Sequence, residues 1–303
     1  MRDSLKGIIA LLLGILVFSS IEVVSKMIEV DMPPFRLAFL RFFIGGAILL
    51  PAVLRNNGNG RNLCKKDYVE FAKLGVIGVT ITIGIYHLAI KYCPANVAAI
   101  IFSCNPAFVA LFAPFLLGEK VSAGKIVSVG LCLAGISWIG FNFEQTGSPS
   151  FVGVILMFVS AICFAFYTVL LKKAVPNYGA LTITCAAGLF GSLFLVPITL
   201  GLEGLGGWNC GITGWLGVLY LGVVATGFGY LFYFYGISHV EASLGSMTFF
   251  LKPFIAALLA WLMLGEKLSR SVLVGGVIIL AGIAITIIPQ IIAHRKNGVM
   301  GQD

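Results

Sequence analysis

The chain has 303 residues, 59% of them hydrophobic and only 11% charged, with a formal net charge of +8; its mean hydropathy is +1.03. A soluble domain must clothe itself in polar groups, so this composition excludes one and makes lipid the solvent. The basic excess does not point to nucleic acid, because Lys and Arg are scattered at the ends of apolar runs instead of forming a stripe interleaved with aromatics.

A spanning helix needs about 20 mostly apolar residues. Ten runs qualify, over 7–28, 35–54, 71–90, 94–117, 123–142, 151–171, 180–201, 214–236, 242–264 and 271–292. The first follows Met1-Arg2-Asp3-Ser4-Leu5-Lys6 and continues to about Met27 with no small-x-small cleavage site, so a retained first helix is expected. Polar breaks separate the runs: Asn56-Asn57-Gly58-Asn59-Gly60 reads as a loop, Gln145-Thr146-Gly147-Ser148-Pro149 as the joint between halves, and Pro176-Asn177-Tyr178-Gly179 as a turn. Long continuous runs are not the alternating pattern of a membrane β-barrel. Seven cysteines without a C-x-x-C pair, most of them inside apolar runs, read as small buried hydrophobes.

Orientation follows from the basic residues. With the amino terminus inside, thirteen of the twenty Lys and Arg residues fall on cytoplasmic segments and five on outer ones, while Arg41 and Lys252 lie within spans. Both termini are therefore expected in the cytoplasm, with the chain in the cell membrane.

The sequence also repeats itself. At a spacing of 146, Gly7 matches Gly153, Phe18 matches Phe164, Gly45 matches Gly191 and Pro51 matches Pro197. At 147, Gly75 matches Gly222, Tyr86 matches Tyr233, Ala95 matches Ala242 and Pro106 matches Pro253; Gly118-Glu119-Lys120 recurs as Gly265-Glu266-Lys267. Each copy, 1–147 and 148–303, holds five spans. An odd number reverses the second copy across the bilayer, and inverted repeats of this kind build secondary transporters with a midplane site at the repeat interface. The expected fold is thus an all-α membrane protein of ten transmembrane helices in two inverted five-helix repeats.

The same residues carry a family resemblance. Phe18-Ser19-Ser20 with Lys26, Leu40-Arg41-Phe42, Asn105-Pro106 with Leu117-Gly118-Glu119-Lys120, and Leu251-Lys252-Pro253-Phe254 with Leu264-Gly265-Glu266-Lys267 resemble the drug/metabolite transporter superfamily, in its EamA-type ten-helix branch. The resemblance covers nearly the whole chain and implies a carrier of small organic solutes, typically amino acids, related metabolites or drugs, working by alternating access without ATP. Three departures stand out: Ser19 after Phe18, Glu22 where an apolar residue is common, and Lys252 before Pro253.

A charge near the bilayer centre costs roughly 2.5–3.5 kcal/mol on insertion scales, so each one calls for a reason. Lys252 lies near the midplane beside a helix-bending proline and is the leading candidate to bind a substrate anion; pairing with a helix carboxylate is its competing role. Asn105, its repeat partner, stands before Pro106 and offers an amide that both donates and accepts, or simply marks a kink. Glu22 and Arg41 reach similar depths on connected antiparallel helices, close enough for an ion pair that Lys26 could share; otherwise Glu22 binds an ammonium or carries a coupling proton. Tyr86 and Tyr233 occupy equivalent places and, with Tyr230, either line the cavity or pack. His87 reads as a hydrogen-bonded histidine, and Glu119 and Glu266 as helix-end caps.

The expected function is secondary active transport of a small polar organic solute bearing an anionic group, an amino acid, a carboxylate or a related metabolite. Export of cationic drugs and a passive channel or facilitator are the alternatives. The expected partners are that solute, the lipid bilayer and a coupling proton; no nucleic acid, cofactor or metal is expected. An enzyme is not expected, since no cluster of acid/base, nucleophilic or metal-binding residues stands out.

Overall fold

The apolar runs do form helices. The computed structural model describes residues 2–55, 64–118, 123–141, 150–204, 210–239, 249, 251–266, 270, 273–282 and 284–285. The helices are α1 (Arg2–Phe18), α2 (Ile21–Met27), α3 (Pro34–Arg55), α4 (Lys65–Gly75), α5 (Thr82–Lys91), α6 (Ala95–Phe102), α7 (Asn105–Leu117), α8 (Ala123–Phe141), α9 (Phe151–Tyr178), α10 (Ala180–Glu203), α11 (Ile212–Leu219), α12 (Gly229–His239), α13 (Leu251–Leu264) and α14 (Leu273–Gly282). Two π-helices, Val76–Ile81 and Tyr220–Phe228, link α4 to α5 and α11 to α12. No strand occurs among the described residues.

Among the described residues, seven helical stretches are long and apolar enough to cross a membrane: Lys6–Met27, Pro34–Arg55, Lys65–Lys91, Ala95–Leu117, Phe151–Tyr178, Ala180–Glu203 and Ile212–Gly236. They coincide with the first four expected spans and the sixth to eighth. The 19-residue α8 occupies the fifth, and α13 and α14 fall within the ninth and tenth. The remainder of those two spans, the carboxyl terminus, and the expected loops at 56–60 and 145–149 lie outside the described residues.

Two expected helices are each two helices. The first breaks at Ser19-Ser20, where the serine hydroxyls donate to the Ile15 and Val17 carbonyls, both at 2.7 Å, and so compete with the helical ladder. Across the break, Ser20 Oγ meets Tyr220 Oη at 2.7 Å. The fourth breaks between Phe102 and Asn105. Pro106 has no N–H for the Phe102 carbonyl, and it sits in the first turn of α7, where that loss costs nothing. Pro253 is the third described residue of α13, and the residues just before that helix, where a kink would show, lie outside the described residues apart from Phe249. Pro176 is not in a turn: α9 runs through it, and the chain reverses at Gly179, at φ 78°.

The repeat spacing reappears in the packing. Gly45 on α3 lies under Gly222, where a Cβ would come within 3.0 Å of the Gly222 carbonyl oxygen; Gly191 on α10 lies under Gly75, where it would come within 2.4 Å of the Gly75 carbonyl oxygen. A shift of 146 or 147 residues exchanges one pair for the other. The last residue of the first π-helix, Ile81, maps at 147 onto Phe228, the last of the second.

One end of the bundle is tied together by backbone and carboxylate bonds. Glu203, closing α10, accepts from the Phe35 and Arg36 amides, both at 2.8 Å, and Arg36 Nη2 donates to Gly204 O at 3.0 Å. Glu266 accepts from the Ala95 and Asn96 amides at 2.9 and 3.0 Å. Both carboxylates therefore satisfy the orphan donors of a helix start in the other half of the chain. Gly265, at φ 67°, lets α13 stop abruptly and turns Glu266 back toward α6. The expected cap at Glu266 is thus real, but it caps another helix. At the same end Ser150 N donates to Tyr92 O (3.0 Å), and Lys26 bonds Glu29 Oε2 (2.7 Å) and Ile90 O (3.2 Å).

Candidate functional site

The breaks in the first and fourth spans, and the described start of α13, lie around a charge pair. Lys252, in the first turn of α13, donates to Glu22 Oε1 on α2, and the two side chains are 2% and 0% exposed. Glu22 thus takes Lys252 as its partner instead of Arg41, and Lys26 turns to Glu29. Desolvating two charges is expensive, and their mutual attraction offsets that cost only with good geometry. The pair is incompletely satisfied: Glu22 Oε2 makes no well-formed hydrogen bond among the described residues, and the buried Tyr86 hydroxyl, which lies close to Glu22, makes none either.

Aromatic rings wall the pair. The Lys252 ammonium lies 4.6 Å from the Phe102 centroid and 5.8 Å from that of Tyr86, within cation–π range. Tyr86 meets Phe102 edge-on at 5.0 Å, and Phe102 meets Phe164 at 5.1 Å. The second copy repeats this: Tyr233 meets Phe249 edge-on at 5.3 Å, and Phe249 lies 6.3 Å from Phe18. Each trio takes its third ring from the opposite half, since Phe18 and Phe164 are exchanged. Phe164 and Phe249, 6.3 Å apart, join the trios. Tyr230 extends the wall, touching Phe18 at 5.0 Å and Phe42 at 5.5 Å.

Phe102 and Phe249 escape a reading based on charge and tyrosine. They stand 147 residues apart, so the repeat spacing already held the signal.

Arg41 sits in the same interior, 1% exposed. Its Nε donates to Thr226 Oγ1 at 2.6 Å, and Nη1 lies 3.3 Å from His87 Nε2. A guanidinium has donors only, so His87 Nε2 is the acceptor. Thr226 Oγ1 in turn bonds the Leu221 carbonyl at 2.8 Å, inside the π-helix. Arg41 therefore clamps α3 to α5 and to the second π-helix. Asn105 is buried at the start of α7, and its Nδ2 has no partner among the described residues.

Spanning helices interrupted mid-course around buried, aromatic-walled charges belong to proteins that move solutes through membranes. The chain is a member of the EamA-like transporter family, whose sequence profile matches it twice, over residues 5–141 and 151–288. It is similar to an uncharacterized transporter of Clostridium kluyveri, 33% identical over 91% of each chain. It is also similar to one of Archaeoglobus fulgidus, 28% identical over 92% of this chain and 96% of that one. A crystal structure with 21% identity shares the fold, with a TM-score of 0.66 over 94% of this chain and 96% of the other. Family and relatives indicate a transporter rather than an enzyme.

Proposed function

We propose that the protein is a secondary active transporter of a small polar organic solute bearing an anionic group, working by alternating access between two inverted five-helix repeats, 1–147 and 148–303. Ten spans cross the cell membrane with both termini in the cytoplasm, and the end tied by Glu203 and Glu266 faces outward. The observation that carries the reading is the Glu22–Lys252 pair. It joins the two halves beside the break in the first helix, and half-helix termini gather at such places in carriers.

A solute carboxylate competes with Glu22 for the Lys252 ammonium. Once displaced, Glu22 is tolerable only if it takes a proton or a cationic group of the solute, because an unpaired buried carboxylate is costly. Solute binding and Glu22 neutralisation are therefore coupled. The trios around Tyr86 and Tyr233, with Tyr230 and Asn105, complete the walls, and Arg41 holds the helices that carry them. The swapped rings and the exchanged glycine pairs support the inverted arrangement.

The test is a thermal-stabilisation screen of the purified protein against amino acids, carboxylates, phosphorylated metabolites and cationic drugs, followed by uptake of the hits into proteoliposomes. Anionic or zwitterionic solutes are expected to stabilise the wild type and to lose their effect in Glu22→Leu/Lys252→Met. Stabilisation by cationic drugs alone overturns the reading in favour of a cation exporter.

A further inference from the structure

Two buried oxygens near the ion pair make no well-formed hydrogen bond among the described residues, Glu22 Oε2 and Ser25 Oγ. Both belong to α2, where residues three apart share a face one turn apart. Ser25, 1% exposed, also borders a small cavity of about 20 Å³, lined on its other sides by His87, Glu29 and Lys91 among others. That volume admits one water, and the lining gives it polar partners. Glu29 and Lys91 reach the surface at the bundle end where Lys26 bonds Ile90 O. Ser25 thus stands one helical turn from Glu22 and borders a water-sized space whose lining includes charges that reach the surface.

We infer that Ser25 and this cavity form a proton-access route to Glu22 from the end of the bundle that carries Glu29 and Lys91. The inference rests on the reading of the Glu22–Lys252 pair as the coupling centre. A solvent proton arriving past Glu29 and Lys91 is taken up by a water in the cavity. That water passes a proton to Ser25 Oγ as the Ser25 hydroxyl proton moves to Glu22 Oε2, so the water too ends unchanged. Ser25 ends unchanged, Glu22 becomes a neutral acid, and Lys252 keeps its charge and is freed for the solute anion. The charges around Glu22 are consistent with this. Lys252 faces it from α13, and Tyr86 on α5 and Tyr230 on α12 feel its charge. Arg41 on α3 acts on Lys252 and both tyrosines. Lys26 on α2 is occupied by Glu29, and His87 borders the cavity while its Nε2 faces Arg41.

The experiment is time-resolved infrared spectroscopy of the purified full chain after an acid pH jump, with no solute present. The carboxylic-acid band of Glu22 is identified by its loss in Glu22→Gln. Ser25→Ala is expected to slow its rise at least tenfold with its final amplitude intact, Ser25→Leu to slow it further by filling the cavity, and Ser25→Thr to restore the wild-type rate. An unchanged rate in Ser25→Ala and Ser25→Leu overturns the route, as does a wild type in which the Glu22 band never appears. Because the readout uses no solute, it stands apart from the uptake assay: slowed protonation without Lys252-dependent uptake sinks the transport reading and leaves the route intact.

Discussion

Glu22 and Lys252 stand 230 positions apart in the chain and meet in the protein interior, so that an ion pair joins α2 of the first half to α13 of the second beside the apolar contact of Val23 with Ala260. Its neighbours are carbon-rich rings, and both charged side chains are buried. Such a pair adds little net stability compared with an apolar substitute, yet it is punishing to half-remove.

Unequal single and double mutants follow. Lys252→Met alone strands a carboxylate and is expected to cost about 3–5 kcal/mol. Glu22→Leu/Lys252→Met removes both charges and is expected to recover most of that loss while abolishing transport. Thermal unfolding in detergent beside proteoliposome uptake checks both halves; a double mutant as unstable as the single would show that the pair acts through packing alone.

Glu266→Gln weakens the clamp on the Ala95 and Asn96 amides by removing its charge, an effect of about 1 kcal/mol by analogy with helix capping. Cys93, buried two residues before Ala95, reports the change. Burial first, and then the Glu266 charge, push its thiol above its ordinary value. The wild type is therefore expected to resist maleimide, and Glu266→Gln to be labelled faster. The sign for stability follows: the folded thiol keeps a proton that the unfolded one loses, so the Cys93 contribution declines as pH rises past 9.0.

The two exchanged glycine contacts should differ in tolerance. A methyl group on Gly75 meets the Gly191 backbone nitrogen at 2.5 Å, whereas one on Gly45 meets first the Thr226 side chain at 2.8 Å and then the Gly222 oxygen at 3.0 Å. Backbone cannot step aside as a side chain can. Gly75→Ala is expected to lower stability by at least about 1–3 kcal/mol, and Gly45→Ala by less. Equal melting temperatures for the two would contradict the closer approach.

Arg41→Lys keeps the charge but loses the forked reach to Thr226 and His87. Slower uptake with solute affinity nearly unchanged is expected, since the guanidinium holds helices and the ammonium of Lys252 holds the solute. A large rise in KM alone would instead make Arg41 a solute ligand.

Much of this architecture could be read from the chain. Long apolar runs announce helices because lipid offers the backbone no other partner, and the 147-residue spacing predicted the equivalence of Tyr86 and Tyr233. Lys252 was conspicuous because charge is rare there. Its partner was not, because helix periodicity reports which face is apolar, never which distant helix it meets. Glu22 therefore reads naturally as a neighbour of Arg41, and only packing hands it to Lys252. The helix breaks were half legible: Pro106 marks one, but Ser19 and Ser20 act through carbonyl bonds invisible to a hydropathy reading.

The two π-helices give the tyrosines an unusual mounting. Each residue of an α-helix advances it by about 100°, so a stretch that accommodates an extra residue leaves everything beyond it turned by that amount relative to an uninterrupted coil. Tyr86 and His87 lie beyond the first such stretch, and Tyr230 and Tyr233 beyond the second. Their bearing around the site is therefore dialled by the winding of the main chain several residues away. Thr226, holding the Leu221 carbonyl and receiving Arg41, is the pin that fixes one of these dials.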